Sequence, residues 1–220
     1  MAVMTSRVMI VDDDPLVRSG LRLLVGGDRS LEVVAEAADG RRAVELHAQD
    51  PVDLVLMDLR MPVMDGIEAT KALKAASPPP AVIVLTTFDA DDHVVRALAV
   101  GADGFLLKDT PPEEIVAAIG AVREGRPALS PSVTAALIKQ VVDGHEPTRD
   151  RPVADAVAAL TDREREVAVN LARGSSNAEI AEALYMSVAT VKAHISHIFT
   201  KLDASNRVQV AIAMHDAGLV

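Results

Sequence analysis

The sequence predicts two folds in one chain: a doubly wound (βα)5 domain built on a parallel sheet over residues 1–125, and an all-α, four-helix domain containing a helix-turn-helix over residues 157–220. Three observations carry this. Apolar runs alternate with amphipathic segments five times in the first part, a pattern that calls for right-handed crossovers and helices on both faces of a parallel sheet. The acidity is segregated: residues 1–125 hold 12 Lys/Arg against 21 Asp/Glu, residues 126–156 hold 4 of each, and residues 157–220 hold 6 against 7. Finally, two short helical patterns near the C-terminus are separated by about three residues.

In order, Arg7 to Val11 is an apolar run ending in Asp12-Asp13-Asp14, and Pro15 opens a helix through Leu16, Leu21 and Leu24 that stops at Gly26-Gly27. LEVVAEAADG reads as the second strand and GRRAVELHAQD as the second helix. Val52 to Met57 runs apolar at five positions out of six into Asp58, as a strand covered on both faces does. A helix closed by three prolines follows, then AVIVLTT as a strand, DDHVVRALAVGAD as a helix and GFLLKD as the fifth strand. Thr110 and Glu113 have capping-box spacing for a fifth helix that runs to Gly125.

The strand ends agree about chemistry. Asp12 and Asp13 end the first, Asp58 the third, Thr86 the fourth and Lys108 the fifth, so one edge of the sheet gathers them. Three carboxylates together repel unless a cation lies between them, and an all-oxygen site with room for water suits Mg²⁺. Lys108 adds a positive charge and Thr86 a hydroxyl, which a phosphoryl group on Asp58 needs.

On these residues the first 125 positions resemble the flavodoxin-like receiver domain of two-component response regulators. The resemblance implies that Asp58 is the phosphoacceptor, that Asp12, Asp13, Asp58 and the backbone carbonyl of Arg60 bind Mg²⁺, and that Thr86, Phe105 and Lys108 form the switch. Two positions depart from the common pattern. Asp14 is a third acid beside the pair, expected to face solvent, and Asp109 follows Lys108 where many receivers have proline.

Residues 126–156 read as a linker with a short helix whose apolar face (Val133, Leu137, Ile138, Val141) packs on a domain. Beyond it, Thr161 with Glu164 and Ser176 with Glu179 form capping boxes, and Ser187 caps the next helix. That helix places Val188, Val191, Ile195, Ile198 and Leu202 on one buried stripe. Its outward face then carries Lys192, Ala193 and Ser196, flanked by Thr190, His194 and His197, groups suited to a major groove.

The segment from Leu160 to Val220 resembles, nearly throughout, the DNA-binding domain of the LuxR/NarL type, with Thr161, Glu164, Gly174, Asn177, Ser187, Thr190, Val191, Lys192, Lys201, Leu202 and Arg207 among the matched positions. The resemblance implies that Thr190, Lys192, Ala193, Ser196, His197 and Lys201 contact DNA. It also implies that the last helix, through Arg207, Val210, Ala211 and Met214, pairs two copies on an inverted-repeat operator. Ser196 stands where relatives can carry a second cation, so weak monomer binding is expected, restored by dimerisation.

The expected function is transcriptional control by a response regulator phosphorylated on Asp58 by a sensor histidine kinase, with homodimerisation and DNA binding as the output and RNA polymerase as a candidate further partner. The alternative is a DNA-binding regulator whose receiver is a phosphorylation-independent scaffold. An aspartate-nucleophile phosphohydrolase fits less well, since Arg60 stands where its second acid belongs, and a ligand-sensing regulator would want aromatics, whereas this chain has no Trp and one Tyr. No G-x-G-x-x-G follows the first strand, which argues against a dinucleotide enzyme. The protein is not expected to be an enzyme acting on other substrates. With no cysteine, no long uncharged apolar run and no signal-peptide core, it is expected to be cytoplasmic, without disulfides, thiolate zinc sites or membrane contact.

Overall fold

The computed structural model describes residues 5–87, 96–130, Thr134 and 156–220. The N-terminal domain is a parallel sheet in the order β2-β1-β3-β4-β5-β6, formed by β1 (Ser6–Val11), β2 (Leu31–Ala37), β3 (Leu54–Met57), β4 (Ala81–Thr86), β5 (Gly104–Leu107) and β6 (Ala128–Leu129). The helices are α1 (Pro15–Val25), α2 (Gly40–Gln49), α3 (Gly66–Lys74) and α4 (Pro112–Arg123), with further helical backbone at 96–99. Residues 88–95, which include the first five residues of the expected fourth helix, lie outside the described residues, as do Val133, Leu137, Ile138 and Val141 of the expected linker helix.

The central strands lack polar alternation because both faces are covered. Val8, Ile10, Leu54, Leu56, Ile83 and Leu85 point into one core, shared with Leu21 and Leu24 of α1 and Ile115, Ile119 and Val122 of α4. Met9, Val11, Val55, Met57 and Val82 point into the other, shared with Ala43 of α2 and Ala69 and Leu73 of α3. Chain order reverses around β1, which lies between β2 and β3, and open α/β sheets hold their sites at such a switch point. Val11 pairs with Met57 and Thr86 with Leu107, so the next residues, Asp12, Asp58 and Lys108, emerge together at the carboxyl edge.

Two details correct the sequence reading and a third adds to it. A sixth strand, β6, extends the sheet beyond residue 125. Gly125, at φ 77°, turns the chain so that Ala128 pairs with Gly104, which puts the first residues of the expected linker in the α/β domain. The Thr110–Glu113 capping box does not form: the helix starts at Pro112, Pro111 occupies the cap, and a proline has no side-chain acceptor to offer. Asp14 is exposed, as expected, yet it also caps α1 by accepting from the backbone N of Leu16 at 2.8 Å.

The C-terminal domain comprises α5 (Asp162–Ala172), α6 (Asn177–Ala183), α7 (Val188–Leu202) and α8 (Arg207–Asp216) around a core of its own that includes Leu160, Val167, Leu171, Ile180, Val191, Ile198, Val210 and Met214. Both expected capping boxes form, Thr161 with Glu164 and Ser176 with Glu179, and Ser187 caps α7 by accepting from Thr190 N. Tyr185 supplies the turn between α6 and α7 with φ 54°. Val188 is a correction to the buried stripe. It is 42% exposed, because at the first position of α7 it precedes the turn that meets the core.

The two domains touch. The amide of Asn206 donates to the carbonyls of Leu98 at 2.8 Å and Ala102 at 2.9 Å, and that of Gln209 donates to Leu98 at 3.0 Å and Ala99 at 2.8 Å. Val208 packs on the cluster of Leu59, Val84, Ala97, Leu98, Ala102 and Phe105. At a second point Asn177 N donates to Glu124 O at 3.2 Å.

Candidate functional site

The carboxyl edge holds Asp12, 1% exposed, Asp58, 5% exposed, and the exposed Asp13. One carboxylate oxygen from each lies within 4.8 Å of the others. Lys108 Nζ is 2.6 Å from Asp12 Oδ2 and 3.3 Å from Asp58 Oδ1. Burial pushes the Asp58 carboxyl above the usual carboxylate range; Lys108 opposes this and the charge on Asp12 adds to it. Burial alone would lower the Lys108 ammonium, but its bonds to Asp12 and Asp58 together outweigh that and its pKa is raised.

Three carboxylates and one ammonium leave a deficit of two positive charges, with one partly desolvated anion beside an open, exposed one. A divalent cation that keeps several waters and prefers oxygen ligands fits that donor set and that charge. Thr86 is 2% exposed at the end of β4 and Phe105 is fully buried on β5, its ring turned inward beneath Val208. Arg60 is exposed, two residues past Asp58.

Sequence reasoning missed two residues here. Gly66 opens α3, and a Cβ there would stand 2.0 Å from the carbonyl oxygen of Asp58, so only glycine lets α3 start this close beneath the site. Nothing in the sequence around Gly66 signals this approach, because it is a property of the fold. Arg18 reaches back from α1 to the backbone carbonyls of Asp12 and Asp13, at 2.7 and 3.3 Å. Its place one turn into α1, after the acid run, was the signal available.

On α7, Thr190, Lys192, Ala193, Ser196 and His197 are exposed and His194 is half-buried. Lys192 lines an interdomain cleft of ≈ 170 Å³ with Asp103, Arg126, Asn177 and Arg207. Lys201 does not share that freedom. Its ammonium is 2.7 Å from Glu164 and also donates to Ala159 O at 3.3 Å, tying α7 to the start of α5. Hydrogen bonds from Lys201 and Thr161 hold the Glu164 carboxyl down at about 2.

On α8, the structure separates the residues expected to pair two copies. Val210 and Met214 are fully buried in the domain's own core, while Ala211 is half-buried. Arg207 is 8% exposed; it donates to Ser175 O at 3.1 Å and to Asn177 Oδ1 at 3.2 Å. Burial lowers its pKa to about 10, partly opposed by Asp103, so it braces the domain from within. The accessible apolar surface of this helix is instead Ile212, 44% exposed, which adjoins Ala211 and His215 along a groove closed by Val220.

Comparison with known proteins fits this geometry. Residues 8–120 match the response regulator receiver domain model, and residues 158–214 match that of bacterial regulatory proteins of the luxR family. The nitrate/nitrite response regulator protein NarP of Escherichia coli is 40% identical over 206 residues, covering 94% of this chain and 93% of NarP. Among solved structures, the response regulator ChrA of a heme-sensing two-component system is 38% identical, with 99% of this chain and all of that one covered and a TM-score of 0.53. The RcsB response regulator in complex with DNA is 25% identical, covering 96% of this chain and 98% of that one, with a TM-score of 0.58. Matched over both domains and aligned with such relatives over almost its whole length, the chain belongs to the two-component response regulators that join a receiver domain to a LuxR-type DNA-binding domain.

Proposed function

We propose that Asp58 is the phosphoacceptor of this transcriptional regulator, and that its phosphorylation controls dimerisation and DNA binding. The observation that carries the reading is the desolvated Asp58 carboxylate 3.3 Å from Lys108 and beside the Asp12–Asp13 pair, an anionic nucleophile with a cation already in place. An oxygen of Asp58 attacks the phosphorus of a phosphohistidine on a sensor kinase; the P–N bond breaks and its electron pair stays on the imidazole. Asp12, Asp13, Asp58 and the Arg60 carbonyl would hold Mg²⁺, which neutralises charge on the transferring group. Lys108 pairs with a phosphoryl oxygen, and the Thr86 hydroxyl donates to another. Phe105 is already inward, so the change these contacts bring falls on the surface at 96–105, where Val208, Asn206 and Gln209 are seated.

Release of that seat frees α7 for a major groove through Thr190, Lys192, Ala193, Ser196 and His197. Lys201 serves there as a brace whose stem flanks the DNA. A second copy meets α8 through Ala211 with Ile212 and His215, while Arg207, Val210 and Met214 hold the helix in place from inside. The receiver acts on its own aspartate and on no other substrate. The domain limits follow the two cores, with a boundary near residue 130 and a second before 156. No helix among the described residues is long and apolar enough to cross a membrane. The proposed setting is the cytoplasm, with a histidine kinase, DNA and RNA polymerase as partners.

The test is dimerisation and operator binding of wild type and Asp58→Asn, each with and without a small phosphodonor and Mg²⁺. Gain of dimer and affinity in wild type alone supports the reading. DNA binding by both proteins with response from neither identifies the receiver as a phosphorylation-independent scaffold.

A further inference from the structure

The acid loop between β1 and α1 is three residues long and carries two of the three carboxylates of the site, yet it belongs to no helix or strand. Its order therefore comes largely from side chains, with a few backbone bonds at its ends. For Asp12 the fixation is complete: its N donates to Ala37 O at 3.1 Å, Oδ1 accepts from Asp14 N at 3.0 Å, and Oδ2 accepts from Lys108 at 2.6 Å. The remaining atom, its carbonyl oxygen, accepts from Arg18 Nη1 at 2.7 Å, and the same nitrogen lies 3.3 Å from Asp13 O. Asp13 has an exposed carboxylate, so the peptide carbonyl is where the fold takes hold of it.

Arg18 is itself held. Its Nε lies 3.4 Å from Glu36 Oε2, and the other oxygen of Glu36 takes Arg22 Nε at 2.5 Å. The Arg18 side chain is 18% exposed, so this is a sheltered contact between α1 and β2. A register shift makes it possible. Val8 pairs with Val33, but Met9 pairs with Ala35, and the one-residue slip sets Glu36 opposite Ile10, whose side chain faces α1. Without the slip Glu36 would stand opposite Val11 and face the other core.

We propose that Arg18, held by Glu36, is a positioning residue of the Asp58 site: its guanidinium fixes the peptide carbonyls of Asp12 and Asp13 and so presents their carboxylates, already oriented, to a divalent cation. This rests on the reading of Asp12, Asp13 and Asp58 as that cation's ligands. A small cation with strict geometry gains from ligands fixed in advance, and groups that orient ligands commonly change metal affinity 10- to 100-fold when removed. The positive charge behind the loop also offsets the repulsion between the acids it carries.

The test uses the full-length wild type, Arg18→Lys, Arg18→Gln, Glu36→Gln and Asp13→Asn. Mg²⁺ affinity is measured by calorimetry and Mn²⁺ affinity by electron paramagnetic resonance, with metal-free melting recorded for each. Arg18→Gln is expected to weaken both metals by about tenfold, Glu36→Gln by less, and Arg18→Lys is expected to recover part of the loss, since an ammonium can reach one carbonyl. A merely structural arginine would lower the melting temperature and leave the metal dissociation constants of the folded variants unchanged; wild-type affinity in both Arg18→Lys and Glu36→Gln overturns the proposal even if Arg18→Gln does not fold. Equal metal affinity in wild type and Asp13→Asn overturns the ligand reading itself, and is distinguishable because it does not depend on Arg18.

Discussion

Asp58 and Gly66 show how a function sets the identity of single residues. The Asp58 carboxylate is buried beside Asp12, and burial disfavours its charged form, so in the absence of a cation the receiver carries an electrostatic penalty at its centre. Asp58→Asn keeps the shape and removes the charge. In metal-free buffer at neutral pH it is expected to melt several degrees above wild type, a gain of about 1 kcal/mol; a lower melting temperature would show that the Lys108 pair outweighs desolvation. Gly66→Ala works in the opposite direction, because its Cβ would meet the Asp58 carbonyl at 2.0 Å. The start of α3 must shift, at a cost of about 3 kcal/mol, and chemical denaturation should show the loss in the receiver's transition. Glu164 gives a pH signature in the other domain. Its carboxyl is depressed to about 2 from an ordinary value of 4.5, so its stabilisation is fully present above 4.5 and is lost as pH falls through about 2. Glu164→Gln should cost about 1 kcal/mol at pH 7, and the gap from wild type should close progressively between pH 4.5 and 2.

At the scale of elements, legibility followed the source of the physical signal. The strands were readable because coverage on both faces leaves no polar positions in β3 or in β1 from Val8 on, and three of the four N-terminal caps expected for the helical domain and the last receiver helix formed because Thr161, Ser176 and Ser187 each place an oxygen over their own first turn. The fourth failed at Pro111-Pro112, where either proline could open the helix and the backbone chose the second. Strand β6 was illegible because two residues have no period; only the turn at Gly125 and the open edge of β5 make them a strand. Helix α8 misled for a different reason. Its apolar residues are distributed around the helix, so sequence alone does not say that Val210 and Met214 face inward and Ile212 outward. The structure makes the two sides separable. Met214→Ala should cost about 2–5 kcal/mol of domain stability, whereas Ile212→Glu should leave the monomer's melting temperature within about 0.5 kcal/mol of wild type and abolish phosphorylation-dependent dimers in sedimentation. Dimers that survive Ile212→Glu place the pairing surface elsewhere.

At the scale of the molecule, the site and the output are joined by a short physical path. Phe105 lies in β5 and Lys108 directly follows that strand; Phe105 shares a cluster with Leu98, Ala102 and Val208; and Leu98 and Ala102 present their carbonyls to Asn206. Asn206 also caps α8, its Oδ1 accepting from Gln209 N at 2.9 Å. The two roles use opposite ends of one amide, so they can be taken apart. Asn206→Asp keeps the acceptor and hence the cap, but it removes both donors and sets a carboxylate against two carbonyl oxygens. Loss of two hydrogen bonds at a domain contact, each worth about 1 kcal/mol, is expected to open the unphosphorylated protein and move the receiver away from the cleft that Lys192 lines. Because Lys192 is exposed but lines the interdomain cleft, the gain comes from moving the receiver out of the way of DNA: operator affinity in the absence of phosphodonor should then rise about tenfold or more, toward that of a fragment lacking residues 1–150, with the melting of the DNA-binding domain unchanged. Fluorescence anisotropy on labelled operator, read at fixed salt because each phosphate contact is salt-dependent, measures it directly. Equal affinity in wild type, Asn206→Asp and the fragment would mean that the contact orders the two domains without restraining either, and that phosphorylation acts through pairing of copies alone.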